Sequence, residues 1–180
     1  MFKTFTIKDG VSGQTLVKSS VARGIRSKIL EQYPALNPHI EEILPKKAQI
    51  TLLKGEEHLN IVSHNGEMLF FNHYDGSYYP NLHLLHKYPD ILPKVQVDRG
   101  AIKFVLRGAN IMCPGLTSPG AQLDAGIPEG TVVAIQAEAK ESAVAVGIMK
   151  MSSDDIISTN KGIGVDNIHY IGDGLWKGAQ

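Results

Sequence analysis

Two prolines set the plan of this chain. In "YPDILPK", residues 88–94, Pro89 and Pro93 each bias the residue before them away from helix, and the periodic patterns on either side stop there. A break in the middle of 180 residues leaves two parts, each long enough to bury a core of its own. The join is placed near residue 93, giving domains over 1–92 and 93–180.

Residues 1–92 read as mixed. "SVARGIRSKILEQY", residues 20–33, carries Val21, Ile25, Ile29 and Leu30 on one helical stripe, with Ser19 or Ser20 to cap its start and Pro34 beyond its end. In "NPHIEEIL" Asn37 sits where an N-cap belongs and Pro38 where a first helical residue belongs, which predicts a second helix. Three strand-like runs follow: "QITLLK" (49–54), "HLNIVS" (58–63) and "EMLFFNH" (67–73). Asn65-Gly66 between the last two is the preferred pair for a tight hairpin turn. "PNLHLLHKY" (80–88) predicts a short helix with Leu82, Leu85 and Tyr88 on its inward side.

Residues 93–180 are richer in strands. "TVVAIQAE" and "SAVAVGIMK", separated by "AKES", read as neighbouring strands with a buried face. "SSDDIIST" has a serine cap and acids in its first turn, the signature of a short helix. "KGIGVDNIHYIGDGLW" is expected to be one more strand between glycine turns. Many short strands with few helices suggest a small barrel. The fold class expected is α+β.

Composition narrows the function classes. Lysine plus arginine number 18, as do aspartate plus glutamate, so the net charge is zero. The balance holds in each half, with 10 basic and 9 acidic residues in 1–90 and 8 and 9 in 91–180. A polyanion would have to be held by a local patch, since no overall basic excess exists. No apolar run approaches the roughly 20 residues of a membrane span, which argues against a membrane partner. "MFKTFTIKDG" has neither the apolar stretch nor the cleavage site of a secretory leader. Cys113 is the single cysteine and cannot form an internal disulfide, which suits a reducing compartment; the expected location is cytoplasmic.

The most informative stretch is "DRGAIKFVLRGANIMCPG", residues 98–115. Asp98 can cap a helix over residues 99–107 that stops at Gly108. Arg99, Lys103 and Arg107 are spaced four apart and line one face of such a helix, whereas Ala101, Ile102, Val105 and Leu106 face the core. Phe104 lies between the two sectors. Cations beside an aromatic ring suit phosphates and a stacked base. The other reading is a solvated helix face with Phe104 packed at the domain join. Gly108 and Gly115 permit close backbone approach to a ligand, and Pro114 stiffens the turn.

Catalytic chemistry finds little support. No sequence signature ties Cys113 to a base, and His169 is the only histidine in its half. His83 and His86 are three apart with His73 nearby, yet no cysteine or ordered carboxylate completes a zinc set, and polar helix surface is the simpler reading. "GIG" lacks the remainder of a dinucleotide fingerprint, and no phosphate-binding P-loop is present, so no cofactor is expected. Lys46-Lys47 and the group Lys18, Arg23, Arg26 and Lys28 are either further phosphate contacts or solvated helix surface.

The same residues carry a family resemblance. "GAIKFVLRGANIMCPGLTSPGA" resembles the central motif of a PUA domain, the RNA-binding module named for pseudouridine synthases and archaeosine transglycosylases. "YPALNPHIEEILPKK", "NGEMLFF", "LLHKYPDILPKVQVDRGAIKFVL", "GIMKMSSDDI" and "NKGIGVDNIHYIGDGLW" together resemble the malignant T-cell-amplified sequence family over nearly the whole chain. That resemblance implies an N-terminal α+β domain followed by a C-terminal PUA pseudo-barrel. It implies a non-enzymatic factor that pairs with density-regulated protein, a SUI-type partner, on the small ribosomal subunit. The actions implied are re-initiation, initiation outside the usual route and recycling with tRNA release, with ribosomal RNA and tRNA as the RNA partners. The implied RNA-binding residues are Arg99, Lys103, Arg107, Gly108, Ala109, Asn110, Met112, Pro114, Gly115 and Thr117, with Lys150 and Lys161 added from the following strand and loop; Phe104 joins them from the helix pattern alone. Two other classes remain open: the RNA-targeting subunit of an RNA-modifying enzyme, and a protein scaffold whose basic stripe is solvated.

Overall fold

The computed structural model describes residues 1–179. The first half runs α1 (Ile7–Gly10), β1 (Val11–Leu16), α2 (Ser19–Gln32), α3 (Ile40–Ile43), β2 (Thr51–Gly55), β3 (Leu59–His64), β4 (Glu67–His73), β5 (Tyr79–Pro80) and α4 (Leu82–Lys87). Its five strands form an antiparallel sheet in chain order, β1-β2-β3-β4-β5. Asn65 and Gly66 both take positive φ, as the tight turn between β3 and β4 requires.

Both faces of this sheet are covered, which explains why "EMLFFNH" shows no polar alternation. Val62, Leu69 and Phe70 pack with Ile25 and Ile29 of α2. Ile61 and Phe71, one residue out of phase, point the other way and pack with Phe2 and Leu175. The second cover therefore comes from opposite ends of the described chain.

The second half runs β6 (Lys94–Val97), α5 (Ile102–Val105), β7 (Ile111–Met112), α6 (Pro114–Thr117), β8 (Gln122–Leu123), β9 (Val132–Ala137), β10 (Ala145–Met149), α7 (Ser153–Thr159), β11 (Ile163–Tyr170) and α8 (Gly174–Gly178). Its sheet is ordered β7-β11-β10-β9-β6-β8, with β6 parallel to β9 and the other pairs antiparallel. The short α6 touches β6, β7 and β8, so it spans the gap between the two ends of the curled sheet. Val95, Val97, Val105, Ile111, Cys113, Leu116, Ile135 and Val165 fill the interior.

The halves are joined by shared core. Val132, Ala134, Ala143 and Val146 pack with Leu82, Leu85, Ile91 and Leu92. The N–H of Leu82 donates to His169 Nε2 at 3.1 Å, and His169 Nδ1 lies 2.7 Å from Asp173 Oδ2. Burial, acting against the Asp173 contact, holds the His169 pKa below its usual value, so the ring is neutral and Nδ1–H is the donor. Asp173 also caps α8, accepting from the Trp176 N–H at 2.8 Å. Gly174 and Gly178 then press α8 onto the opening residues: a Cβ on Gly174 would lie 1.7 Å from the Phe5 carbonyl oxygen, and one on Gly178 2.2 Å from Ile7 Cγ1.

Several expectations need correction. Asn37 does not cap a helix through Pro38. A 3-10 turn occupies Pro34–Leu36, the Asn37 amide donates back to the Pro34 carbonyl, and the next helix begins only at Ile40. The strand of 161–176 ends at Tyr170, because Asp173 starts α8. His83 and His86 are not simple helix surface: His83 stacks on Trp176 with 3.8 Å between ring centroids, and His86 Nε2 lies 2.7 Å from the Ala143 carbonyl oxygen. Both are part of the join between the halves.

Candidate nucleic-acid interface

Asp98 begins the site as expected, its Oδ1 accepting from the Ala101 N–H at 2.9 Å. The helix it starts is not one regular α-helix over 99–107. Residues 99–101 form a 3-10 turn, α5 supplies one α-helical turn, and Arg107 lies in the turn that ends it. Three residues per turn at the start shift every later side chain from its α-helical position. The predicted core face is corrected accordingly: Val105 is buried, Ala101 and Ile102 are half-buried, and Leu106 is exposed.

Arg99, Lys103, Phe104 and Arg107 are all exposed. Among the described residues, none of the three cations forms an ion pair with a carboxylate. Lys103 Nζ lies 5.2 Å from the centre of the Phe104 ring. With 51% of its surface exposed, Phe104 is not packed at the domain join.

The glycine loop is held from beneath by one strand. Gly108 takes φ +90°, and a Cβ there would sit 3.0 Å from Cε1 of Tyr170, so both the backbone and the neighbouring ring favour glycine. Asn167 of β11 is buried under the loop. Its Nδ2 donates to the carbonyls of Val105 and Ala109, each at 3.1 Å, and its backbone N–H donates to Asn110 Oδ1 at 3.0 Å. These bonds satisfy carbonyls at the helix end and fix the path of residues 108–110.

Beyond the loop, β7 pairs with β11 and sets Met112 opposite Ile163, both exposed. Cys113 turns inward and is fully buried, its Sγ donating to the Lys161 carbonyl at 3.4 Å. The Cys113 N–H donates to the Gly162 carbonyl at 2.9 Å, which brings the 160–162 loop against the turn at Pro114. Thr117 Oγ1 donates to Asn160 Oδ1 at 2.6 Å across the same junction. The helix end, the glycine loop, Met112, Pro114, half-buried Gly115, Thr117 and Lys161 are thus brought together. Lys150 stands apart on the β10 side of β11, with Nζ 3.8 Å from Asp166 Oδ2.

Sequence reasoning missed Asn167, Tyr170, Asn160 and Ile163. The available signal for Asn167 was an asparagine inside a strand-like run, where that residue is depleted. Of the other basic group, Arg26 is occupied within the fold: it is paired with Glu41 at 2.7 Å and donates to the Leu44 carbonyl at 2.8 Å.

Comparison with known proteins bears on this geometry. Residues 5–89 match the family model of the Pre-PUA-like domain, and residues 93–171 match that of the PUA domain. The chain is 56% identical over 176 residues to malignant T-cell-amplified sequence 1-B of Xenopus laevis, covering 98% of this chain and 97% of that protein. Against malignant T-cell-amplified sequence 2 of Homo sapiens the identity is 53%, with the same coverage of each. Translation machinery-associated protein 20 of Schizosaccharomyces pombe is 49% identical over 177 residues, covering 98% of both. A crystal structure of a hypothetical protein from the archaeon Pyrococcus horikoshii shares the fold, with a TM-score of 0.75 at 23% identity over 93% of this chain and 100% of that one.

Proposed function

Because this chain belongs to the malignant T-cell-amplified sequence family, we propose that it is an RNA-binding factor of the translation machinery. In this reading residues 93–180 grip RNA and residues 1–92 serve as the companion domain. The factor acts in the cytoplasm, on the small ribosomal subunit, together with density-regulated protein. Its work is re-initiation, initiation outside the usual route and recycling with release of tRNA. It binds rather than transforms: the one thiol, Cys113, is buried in the second core.

One observation carries the reading. Exposed Lys103, Phe104 and Arg107 stand beside a glycine loop whose backbone is already fixed by Asn167. The cations engage phosphates and release counterions, which makes affinity fall with salt. Phe104 and Met112 offer apolar contact to unpaired bases, worth roughly 1–3 kcal/mol for each stacked base. A loop fixed before binding loses little conformational freedom on binding. Arg99, Ala109, Asn110, Pro114, Gly115, Thr117, Lys150 and Lys161 complete the proposed contact set.

Co-sedimentation with small ribosomal subunits over a salt series, with and without density-regulated protein, tests the proposal. Salt-sensitive binding that the partner strengthens and Lys103→Glu weakens is the expected result. A Lys103→Glu variant that sediments as fully as the parent at moderate salt removes this face from the reading.

A further inference from the structure

A cleft of about 690 Å³ lies between the halves. Its wall carries four carboxylates, Asp9, Glu56, Glu57 and Asp166, against one cationic group, the amino terminus on Met1, and no lysine or arginine side chain. Glu56 and Glu57 are exposed and form no ion pair among the described residues, whereas Asp166 is shared loosely with Lys150 at 3.8 Å.

Two further groups in the wall point to a ligand independently of the acids. Asn167 is 7% exposed, and its Nδ2 is spent on the carbonyls of Val105 and Ala109. Its Oδ1 has no partner among the described residues. His73 Nδ1 lies 3.3 Å from the Glu57 carbonyl oxygen, which makes it the donor and leaves Nε2 an acceptor, also without a partner among the described residues. Buried acceptors left unpaired are rare, since each loses its hydration without replacement. Both of these unpartnered side-chain atoms are acceptors, and beside the carboxylates they suit a cation with several N–H donors.

The shape argues for a chain-borne cation. Past Glu57 and Leu59 the cleft runs on into a second groove of about 680 Å³, whose wall includes Lys54, His58, Tyr74 and Asp75. Tyr74 is 67% exposed, with its ring centroid 4.7 Å from that of His58. A continuous track that ends in an acceptor-lined cleft, with an exposed tyrosine along it, suits an extended peptide. Guanidinium supplies five donors in a planar fork, the arrangement that carboxylates and an amide oxygen accept best.

We propose that this interdomain cleft receives an arginine side chain presented by an extended segment of a protein partner. The proposal rests on the reading that the chain works beside a protein partner; filling of the cleft by a small probe does not depend on ribosome binding.

Nuclear magnetic resonance titration of the full chain tests it, with N-acetyl-argininamide as probe, N-acetyl-citrullinamide as its uncharged counterpart and spermidine as a free polyamine. The argininamide should shift Asn110, Asn167 and His73 saturably, and Glu57→Gln combined with Asp166→Asn should weaken it about tenfold. No saturable shift at Asn167 and His73 overturns the proposal. So does an equal response to the citrulline probe, which would mean charge plays no part, or a response to spermidine alone. Failure of subunit co-sedimentation together with a positive titration would sink the ribosome reading and leave the cleft standing.

Discussion

The imidazole of His169 accepts a hydrogen bond from the backbone N–H of Leu82 at 3.1 Å, so a buried ring in one half is tied to the first turn of a helix in the other. Only the neutral ring can do this, because a protonated Nε2 would point a second hydrogen at an N–H donor. Burial lowers the folded pKa, so below the ordinary value of 6.5 the unfolded chain takes up a proton that the native chain refuses. This contribution to stability is complete above that pH and is lost progressively as pH falls from there toward the folded value. Urea unfolding from pH 8 to pH 5 should show stability falling by at most about 1.4 kcal/mol per pH unit from this group. A His169→Gln variant should be less stable throughout and show a flatter profile over that range.

Asn167→Ala removes two donors from the end of α5 and should reduce stability by about 1–3 kcal/mol. Amide exchange at Ala109 and Asn110 should speed up, and RNA affinity should fall although no exposed cation has changed. Unaltered exchange there would show that the loop holds its shape without the strand beneath it.

Phe104→Ala separates stacking from charge. Affinity for single-stranded RNA should drop by roughly 1–3 kcal/mol while the slope of log K against log salt stays the same. Lys103→Gln should do the reverse in part, lowering that slope by about one unit.

Gly174→Ala and Gly178→Ala should each loosen the contact between α8 and residues 2–7, since neither the Phe5 carbonyl nor Ile7 leaves space for a methyl group. The cost of such overpacking is about 1–3 kcal/mol or more. Trypsin should then cut at Lys3 and Lys8 faster than in the parent, as read by mass spectrometry. Gly66→Asn offers a contrast: Gly66 takes φ +78° with nothing within 4 Å of its missing Cβ, so any effect there is backbone strain alone, whereas at Gly174 and Gly178 the obstacle is the neighbouring atoms.

Long or well-punctuated elements were legible in the sequence. "EMLFFNH" is a strand over the residues expected, the Asn65-Gly66 turn is where the pair placed it, and Ser152 caps α7 through the Asp155 N–H. What was missed is short or depends on distant partners. The Lys94–Val97 strand is four residues long, too few for a period to show, and it exists because it runs parallel to β9. The strand at Val11–Leu16 is exposed along most of its length and carries no apolar alternation. At the site, Asp98 and Gly108 marked the start and stop correctly, but an α-helical period could not place Leu106 across a 3-10 turn. Asn167 escaped because its role lies in what it holds 57 to 62 residues away.

The clasp of α8 on Phe2 sets an order on the birth of this protein. Phe2 emerges from the ribosome long before Leu175 has been made, yet the two meet over Ile61 and Phe71. Until that meeting one side of the first sheet is an open apolar surface on a nascent chain, the condition in which misassembly and chaperone capture compete with folding. The α2 side can close early, from residues near in sequence. The other side waits for synthesis to reach α8, so the opening segment is a guest at its own fold until the second domain is in place.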